Sequence, residues 1–468
     1  MSQGVAGTAR LDITPTWPVL QGGFGQRVTP CIGVHDPVLA KSLYFANGAE
    51  QLLLITVDLI CIPSPLGKAV VAALIAQTDL TAEQICICAS HTHSGPLPFD
   101  ASGNAVGVAQ YTTFLTDALV RVASAAIHTA RPCRVRVGVG EVDDLFLNRR
   151  TRGQPNVVDK RVAVLAVEDA SSGELFGVLF GVGCHPVTLG WDNMQISADF
   201  PGVAQAAIEA ELTGVNALFF NTTEGNVIPR SSPNADALDP RGYCGGSFAE
   251  TLAIGLTIAD EVVRVLRDPS TRANVDDLHI AARRADLRIA PRHAQLDAAS
   301  AQAQVAASAR TLAEFLGDDF ATRIAPSALW SAASAHVIAA QLAEAEMRRL
   351  MLACCYWLGL SARLAQTGAV RDVNVPVQML RINELLLLAL PGEVLVETGQ
   401  DWQRLAASDT AFIVGLANAH LRYLPAAAHF AEADADSHYE TVTAGLGPNG
   451  MEIALAAGMR LLSEVRVA

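Results

Sequence analysis

Short apolar runs alternate along the chain with longer stretches in which apolar residues recur at helical spacing. The apolar runs predict seven strands, which read QLLLITVDL, QICICAS, RVAVLAVE, LFGVLFGVGC, NALFFNTT, ELLLLAL and AFIVGLAN. The periodic stretches predict helices, among them PLGKAVVAALIAQ, YTTFLTDALVRVASAAIH, PGVAQAAIEAEL and FAETLAIGLTIADEVVRVL. Strands that are apolar throughout, rather than alternating, are typical of a sheet buried on both faces. We therefore predict an α/β fold in which helices flank a mostly buried sheet.

Residues from about 291 to about 365 have a different pattern. Two long Ala-rich segments there are periodic at helical spacing, HAQLDAASAQAQVAASARTLAEFL and SAASAHVIAAQLAEAEMRRLMLACCYWLGLSARLA. They predict a helical insertion at about 291–365, folded as a hairpin that caps the sheet or its active-site mouth. The alternation of strands and helices resumes after it, and the chain has no repeat of solenoid period. We therefore expect one elaborated domain over residues 1–468.

The net charge of the chain is −14 at pH 7, which argues against nucleic acid as a partner, because a phosphate backbone requires a basic surface. No apolar run reaches the roughly 20 residues of a membrane-spanning helix. The first residues lack the basic and apolar regions of a signal peptide. The nine cysteines are scattered and do not form a disulfide framework. These features predict a cytoplasmic protein that acts on a small molecule, and they leave homo-oligomerisation open.

Polar residues cluster immediately after five of the predicted strands. The clusters read HTHSGP, HPVTLGWD, EGNVIPR, PGEVLVETG and AHLRYLP. Ligands of open α/β sheets bind beyond the carboxyl ends of the strands. We therefore expect these five strand ends to converge on one pocket.

A metal site can be built from these clusters. His91 and His93 are two residues apart, so in an extended backbone both imidazoles face the same side. Asp58, at the end of another strand, is expected to face the same mouth. His185 follows a different strand and would complete a metal pair with His91. With a carboxylate such as Glu393, these residues would supply the three nitrogen and oxygen ligands that catalytic zinc prefers.

Each candidate also has a simpler explanation. A His-x-His at a strand end can be a polar loop, and a lone histidine such as His185 is often a hydrogen-bonded structural residue. The Pro-Gly-Glu that contains Glu393 can be a helix start, where the helix dipole favours a carboxylate. Other candidates can be explained by a solvated loop, by packing or by helix capping, namely Arg149 and Arg150, Tyr423 and Tyr439, and Asp199. The coincidence of five strand ends, rather than any one residue, favours an active site.

Several longer motifs resemble the neutral ceramidase family, in the catalytic N-terminal domain of its neutral/alkaline non-lysosomal members. They are SHTHSGP at 90–96, GCHPVTLG at 183–190, ISADFPG at 196–202, PGE at 391–393 and HYE at 438–440. The opening GTARLDITP and the stretch GVHDPVLAKSLYF at 33–45 are similar to the start of that domain. The resemblance covers most of the chain and implies a mixed β-sheet flanked by helices.

The resemblance also implies a reaction and a set of site residues. The family is a group of zinc-dependent amidases in which metal-bound water attacks an N-acyl amide. One zinc ion per chain would then be held by His91, His185, Glu393 and Tyr423. The resemblance implies that three further side chains act on the substrate. His93 would lie beside the metal, Arg149 in the active site, and Tyr439 would help to hold the oxyanion.

One loop departs from the family pattern. Where the family carries Gly-Asp-Val-Ser-Pro, this chain reads Gly225-Asn226-Val227-Ile228-Pro229. Ile228 has no hydroxyl, so a mechanism that needs the serine is excluded, whereas one that uses zinc-bound water remains. Arg230 follows, and it would either bind a carboxylate or phosphate or lie on a solvated loop. The residues expected to contact substrate are therefore Asp58, Asn226, Ile228 and Arg230, and the substrate need not be ceramide.

Larger members of the family carry a further C-terminal β-sandwich domain, which we do not expect in this chain. The leading hypothesis is a zinc-dependent hydrolase that cleaves an amide bond of an N-acyl substrate. A second hypothesis is a true ceramidase, which would place the chain in lipid metabolism. A third is a metal-binding or ligand-binding protein without turnover.

Overall fold

The structure is a computed structural model. It describes residues 4–467, except for 25, 26, 28, 100–106, 152–154, 233–244, 269–271, 275–277, 293–296, 298, 305, 308, 309, 311–371, 434, 436 and 437. The predicted helical insertion at about 291–365 lies largely outside the described residues.

The described residues include nineteen strands and eight α-helices, besides helical residues at 299–304. The strands are β1 Val5–Asp12, β2 Gly33–Val34, β3 Leu39–Asn47, β4 Glu50–Val57, β5 Ile85–Ala89, β6 Arg131–Glu141, β7 Phe146–Asn148, β8 Arg161–Asp169, β9 Leu175–Val182, β10 Gln195–Ile196, β11 Asn216–Asn221, β12 Val227–Pro229, β13 Arg272–Asn274, β14 Ile280–Ile289, β15 Val373–Ile382, β16 Leu385–Ala389, β17 Glu393–Val394, β18 Ala411–Val414 and β19 Tyr423–Leu424. The helices are α1 Ser64–Gln77, α2 Val108–His128, α3 Asp199–Glu211, α4 Phe248–Arg267, α5 Val396–Ala406, α6 Ala427–Phe430, α7 Tyr439–Val442 and α8 Gly450–Val467.

The strands form two main sheets. The larger sheet has the order β11-β9-β8-β6-β1-β3-β4-β5, with β13 on β6. Most of its neighbours are antiparallel, but β4 and β5 are parallel, as are β9 and β11. The smaller sheet has the order β14-β15-β16-β18, and its last pair is parallel. Three two-stranded ladders, β2 with β10, β7 with β12 and β17 with β19, lie outside these sheets.

Successive side chains of a strand point to opposite faces of its sheet, so alternate residues pack in different hydrophobic cores. The cores separate four layers of secondary structure. In β4, Leu53 and Ile55 pack in the core that contains α1 and α2, whereas Leu52 and Leu54 face the smaller sheet. In β8, Val164 belongs to the core that contains α3 and α4. The outer face of the smaller sheet packs on α5 and α8. The order of layers is therefore helices, larger sheet, smaller sheet, helices.

This architecture confirms the predicted α/β class, with mixed sheets flanked by helices. It also contains a second stacked sheet that the sequence pattern did not reveal. A strand with two apolar faces has the same sequence pattern whether its second face packs on a helix or on another sheet.

Cys86 and Cys88 lie in the core between the sheets and act there as small buried hydrophobic residues. Within the described part of the chain, no helix is long and apolar enough to cross a membrane.

Candidate metal centre

The carboxyl ends of the parallel strands bring the predicted polar clusters together. His91 follows β5, His185 follows β9, Glu393 lies beyond β16, and Tyr423 lies beyond β18. The side chains of His91, His185, Glu393 and Tyr423 are all buried. Four segments that are distant in sequence therefore place donor atoms in one small volume at the edge of both sheets.

Main-chain carbonyls orient the two imidazoles. His91 Nδ1 donates to the carbonyl oxygen of Ile60 at 2.7 Å, and His185 Nδ1 donates to that of Glu224 at 2.6 Å. A carbonyl can only accept, so Nδ1 carries the proton and Nε2 of each ring keeps its lone pair. His91 reaches this orientation from a left-handed backbone with φ of 72°, a conformation that is uncommon for residues other than glycine. The fold therefore holds two Nε2 lone pairs toward the same point.

The distances between donor atoms fit a tetrahedral zinc ion. Ligands about 2.0–2.1 Å from such an ion lie roughly 3.3 Å from one another. Glu393 Oε2 lies 3.2 Å from His185 Nε2 and 3.4 Å from His91 Nε2. The hydroxyl of Tyr423 lies 3.3 Å from His185 Nε2. These four side chains could therefore hold one metal ion.

The electrostatics of the cluster favour the forms that bind metal. Burial, together with the charge of Arg149, lowers the pKa of His185 to about 4. The ring is therefore neutral at physiological pH. Burial alone would raise the pKa of Glu393, but His91 and His185 outweigh it and hold that pKa well below its usual value. A neutral imidazole and an ionised carboxylate are the states that ligate a metal.

His93 lies beside these donors and is itself close enough to bind. Its Nε2 lies 3.3 Å from His91 Nε2, and the donor nitrogens of His91, His93 and His185 all lie within 4.8 Å of one another. These distances permit two ligand sets, one with His93 and one with Tyr423. The backbone at Gly23, where φ is 92°, crosses so close to His93 that an added Cβ would lie 2.5 Å from the ring.

Arg149 and Tyr439 border the cluster on the tyrosine side. Arg149 Nη2 donates to the hydroxyl of Tyr423 at 3.0 Å and to the carbonyl of Gly225 at 2.8 Å. The ring of Tyr439 packs edge-on against that of Tyr423, with centroids 5.4 Å apart. The side chains of Arg149 and Arg150 are 6% and 4% exposed, so neither lies on a solvated loop.

Two of the residues expected to contact substrate, Asp58 and Arg230, have side-chain partners outside the proposed ligands. The carboxylate of Asp58 accepts from the main-chain amide of Leu39 at 3.0 Å and from the side chain of Gln205 at 3.3 Å. Burial raises its pKa to about 6. The carboxylate of Asp58 therefore holds β3 and α3, and the expectation that it also faces the metal mouth stays a prediction. Arg230 is 45% exposed and pairs with the surface residue Asp144, which agrees with the solvated-loop alternative.

Asn226 and Ile228 lie close to the cluster but are engaged in packing. Asn226 donates to both carboxylate oxygens of Glu397 and accepts from the amide of Val396. Ile228 is fully buried and packs on Val187, with Phe24 and Leu147 against the pair. Asn226 therefore uses its side chain to hold the loop that follows Glu393, and Ile228 fills an apolar wall with Val187.

The structure also adds two residues that the sequence reasoning did not single out. His420 Nε2 lies 4.0 Å from Glu393 Oε1, the oxygen that faces away from the other imidazoles. Burial lowers the pKa of His420 to about 4. Glu224 is fully buried, and burial raises its pKa well above the usual value. His420 belongs to the strand-end cluster AHLRYLP, and its position there was the available signal.

Residues 5–237 match the sequence model of the N-terminal region of neutral/alkaline non-lysosomal ceramidases. The neutral ceramidase of Pseudomonas aeruginosa is 26% identical over 272 residues, which cover 53% of this chain and 40% of that protein. Neutral ceramidase A of Dictyostelium discoideum is 26% identical over 208 residues, covering 38% and 29%. The matched regions therefore span less than half the length of either relative.

Two solved structures share the fold. The crystal structure of the Pseudomonas aeruginosa neutral ceramidase superposes with a TM-score of 0.67 at 20% identity. A structure described as a ceramidase complexed with C2 superposes with a TM-score of 0.69 at 21% identity. Each comparison covers all of this chain, and 74% and 75% of the other chains.

Proposed function

This chain belongs to the neutral/alkaline non-lysosomal ceramidase family, and from that premise we propose that it is a zinc-dependent hydrolase of amide bonds. The proposed ligands of one zinc ion are His91, His185, Glu393 and Tyr423. The observation that carries the proposal is the spacing of three donor pairs, Glu393 with His185, Glu393 with His91, and Tyr423 with His185, at 3.2–3.4 Å, which matches a tetrahedral ion. The proposed substrate is a small molecule that contains an N-acyl group.

The side chains of the cluster would prepare this chemistry in their resting states. The carbonyls of Ile60 and Glu224 keep Nε2 of His91 and His185 unprotonated. Glu393 adds a negative charge between the two rings. A bound zinc ion would supply a water of lowered pKa and would polarise the substrate carbonyl. The chain's contribution is therefore a donor set whose protonation states already suit a metal ion.

Arg149, Tyr439 and His93 are the proposed catalytic residues. The Arg149 guanidinium keeps its charge at any physiological pH, and its buried position strengthens the attraction it exerts on a developing oxyanion. Tyr439 would donate from its hydroxyl to the same oxygen. His93 would accept or return a proton at Nε2, beside His91. Together they would stabilise the charge that forms when the amide carbonyl is attacked.

Two histidine variants test this division of roles. His185→Ala should lose both zinc and turnover, because it removes a ligand. His93→Ala should keep one zinc per chain while turnover falls by about 10²- to 10⁴-fold, the usual contribution of a proton-transfer residue. The measurements are zinc content of the purified protein and hydrolysis across a panel of amides and esters. A metal-free His185→Ala protein with full activity would overturn the proposal, and zinc without any hydrolysis would mean a metal-binding protein without turnover.

A true ceramidase is the second candidate, favoured by the matches to two neutral ceramidases. The loop at Gly225–Arg230 argues against ceramidase activity, because Ile228 is packed in an apolar wall and Arg230 lies at the surface. The discriminating assay compares a labelled short-chain ceramide with small polar amides. Release of fatty acid supports ceramidase activity. Hydrolysis of the small amides alone supports a different N-acyl substrate.

We also propose a reducing compartment, the cytoplasm, for this chain. The cysteines that the structure describes are all free thiols, and five of these six are buried. Free thiols are typical of proteins kept in a reducing environment. Fractionation of cells that express the chain tests this directly, and recovery of the protein outside the cytoplasm would reject it.

A further inference from the structure

We propose that Glu440 is a positioning residue that aims the Arg149 guanidinium at the metal centre. The inference rests on the proposed function, because it assigns a role toward the same site. Glu440 is the last residue of the HYE motif and the second residue of α7. Its own carboxylate is buried, with 3% of the side chain exposed. A buried carboxylate requires a partner, and the partners of Glu440 lead to the metal site.

The carboxylate of Glu440 bridges two arginines. Oε1 accepts from Arg149 Nε at 2.7 Å, and Oε2 lies 3.3 Å from Arg150 Nη1. Burial would raise the pKa of Glu440, but Arg149 and Arg150 outweigh burial and lower it. The carboxylate is therefore ionised and held by two guanidinium groups. Arg150 in turn pairs with Glu432, which is 38% exposed at the edge of the network.

The other edge of the Arg149 guanidinium faces the proposed ligands. Nη2 donates to the hydroxyl of Tyr423 at 3.0 Å and to the carbonyl of Gly225 at 2.8 Å. Because the guanidinium is planar and its donors have fixed directions, anchoring Nε on Glu440 sets where Nη2 points. The Tyr423 hydroxyl lies 3.3 Å from His185 Nε2. Glu440 therefore acts on the metal centre through Arg149 and Tyr423.

The chain supplies a matched control for this role. Glu432 pairs with Arg150, the second of the two arginines, and is partly exposed. Glu432→Gln removes a carboxylate that pairs with Arg150 and His438. Glu440→Gln removes the inner carboxylate. Glu440→Asp keeps the charge that balances the two arginines but withdraws it by one methylene, so it tests whether the position of the carboxylate sets the direction of the Arg149 guanidinium.

The experiment measures zinc affinity by competition with a chelator, and then kcat and KM on the best amide substrate, below the melting temperature of each variant. Residues that orient metal ligands typically contribute 10- to 100-fold in affinity or activity. We expect Glu440→Asp and Glu440→Gln to weaken zinc binding by about 10-fold or more, and to lower kcat with little change in KM. Glu432→Gln should stay within about twofold of the wild type.

A purely structural role for Glu440 would lower the melting temperature and leave zinc affinity and kcat unchanged. That result with Glu440→Asp overturns the inference. If the wild type binds zinc but hydrolyses no substrate, the proposed function fails while the zinc affinities still decide the role of Glu440. A wild type that binds no zinc overturns both.

Discussion

Glu393 and Tyr423 lie directly opposite one another in a parallel ladder of two residues per strand. The ladder joins the segment after β16 to the segment after β18, and the amide of Glu393 donates to the carbonyl of Arg422. It therefore fixes the carboxylate and the phenol relative to each other by main-chain hydrogen bonds. Two of the four proposed ligands are held in this way, and the other two are held by the carbonyls that accept from their Nδ1 atoms.

Glu393→Gln should weaken zinc binding by at least about 100-fold, because it removes the charged ligand that lies between two imidazoles. The measurement is the zinc dissociation constant, with the zinc-induced rise in melting temperature as a second readout. Asp58→Asn is the matched control. Its carboxylate is also buried at a strand end, but it is bonded to Leu39 and Gln205, so its zinc affinity should equal that of the wild type. A loss of zinc in Asp58→Asn would contradict the placement of that residue.

Gly23→Ala should impair the site more than the same change at Gly173. Both glycines have positive φ, 92° and 73°, so alanine is strained at each. The Cβ at Gly23 would lie 2.5 Å from the His93 ring, whereas the Cβ at Gly173 meets nothing within 4 Å. We expect both variants to lose about 1 kcal/mol of unfolding free energy from backbone strain. Gly23→Ala should in addition lower kcat, and equal kcat values in the two variants would contradict it.

Asp199→Asn should change how stability depends on pH. Burial raises the pKa of Asp199 to about 6, against about 4 in an unfolded chain. Between these values the unfolded chain loses the proton first, so the contribution of Asp199 is fully present below pH 4 and is lost as pH rises to 6. This corresponds to about 3 kcal/mol. Asparagine keeps the acceptor for Thr188 and Phe200 and tolerates the φ of 56°.

Denaturant unfolding of the metal-free protein at pH 4 and pH 7 measures this effect. The Asn variant should gain about 3 kcal/mol relative to the wild type between the two pH values. Asp169→Asn is the control. Hydrogen bonding from Ser171 lowers the pKa of Asp169 to about 2, so its contribution to stability is lost only as pH falls below 4 and should not change between pH 4 and pH 7. An equally flat response of Asp199→Asn relative to the wild type would show that the pKa of Asp199 is not raised.

Ile228→Ser should destabilise the fold by about 2–5 kcal/mol, because it leaves a cavity and buries a hydroxyl among apolar side chains. Ile228→Val, which removes one methylene, should cost about 0.5–1.5 kcal/mol. Ile228 packs on Val187, with Phe24 and Leu147 against the pair, so serine there loses apolar contacts. The measurement is the unfolding free energy of both variants. Equal stability of Ile228→Ser and wild type would mean that the apolar wall opens to solvent.

Much of the candidate site could be found from strand ends alone. His91, His185 and Glu393 each follow an apolar run, and a histidine or carboxylate at that position is visible in the sequence. The resemblance to a known family added Tyr423, Arg149 and Tyr439. The same criterion also selected Asp58, whose carboxylate is bonded to Leu39 and Gln205. A strand end shows that a polar residue lies at the edge of a sheet, but not which way its side chain points.

The sequence by itself determined the α/β class, the buried strands and the chemistry available at their ends, because these depend on the periodicity of neighbouring residues. Only the tertiary structure decided that two sheets stack, that Glu393 meets His185 across 208 residues, and that Glu440 meets Arg149 across 291. Such contacts depend on the register of the ladders and the stacking of the layers. Local periodicity carries no information about either, so the partner of each donor becomes known only when the chain is folded.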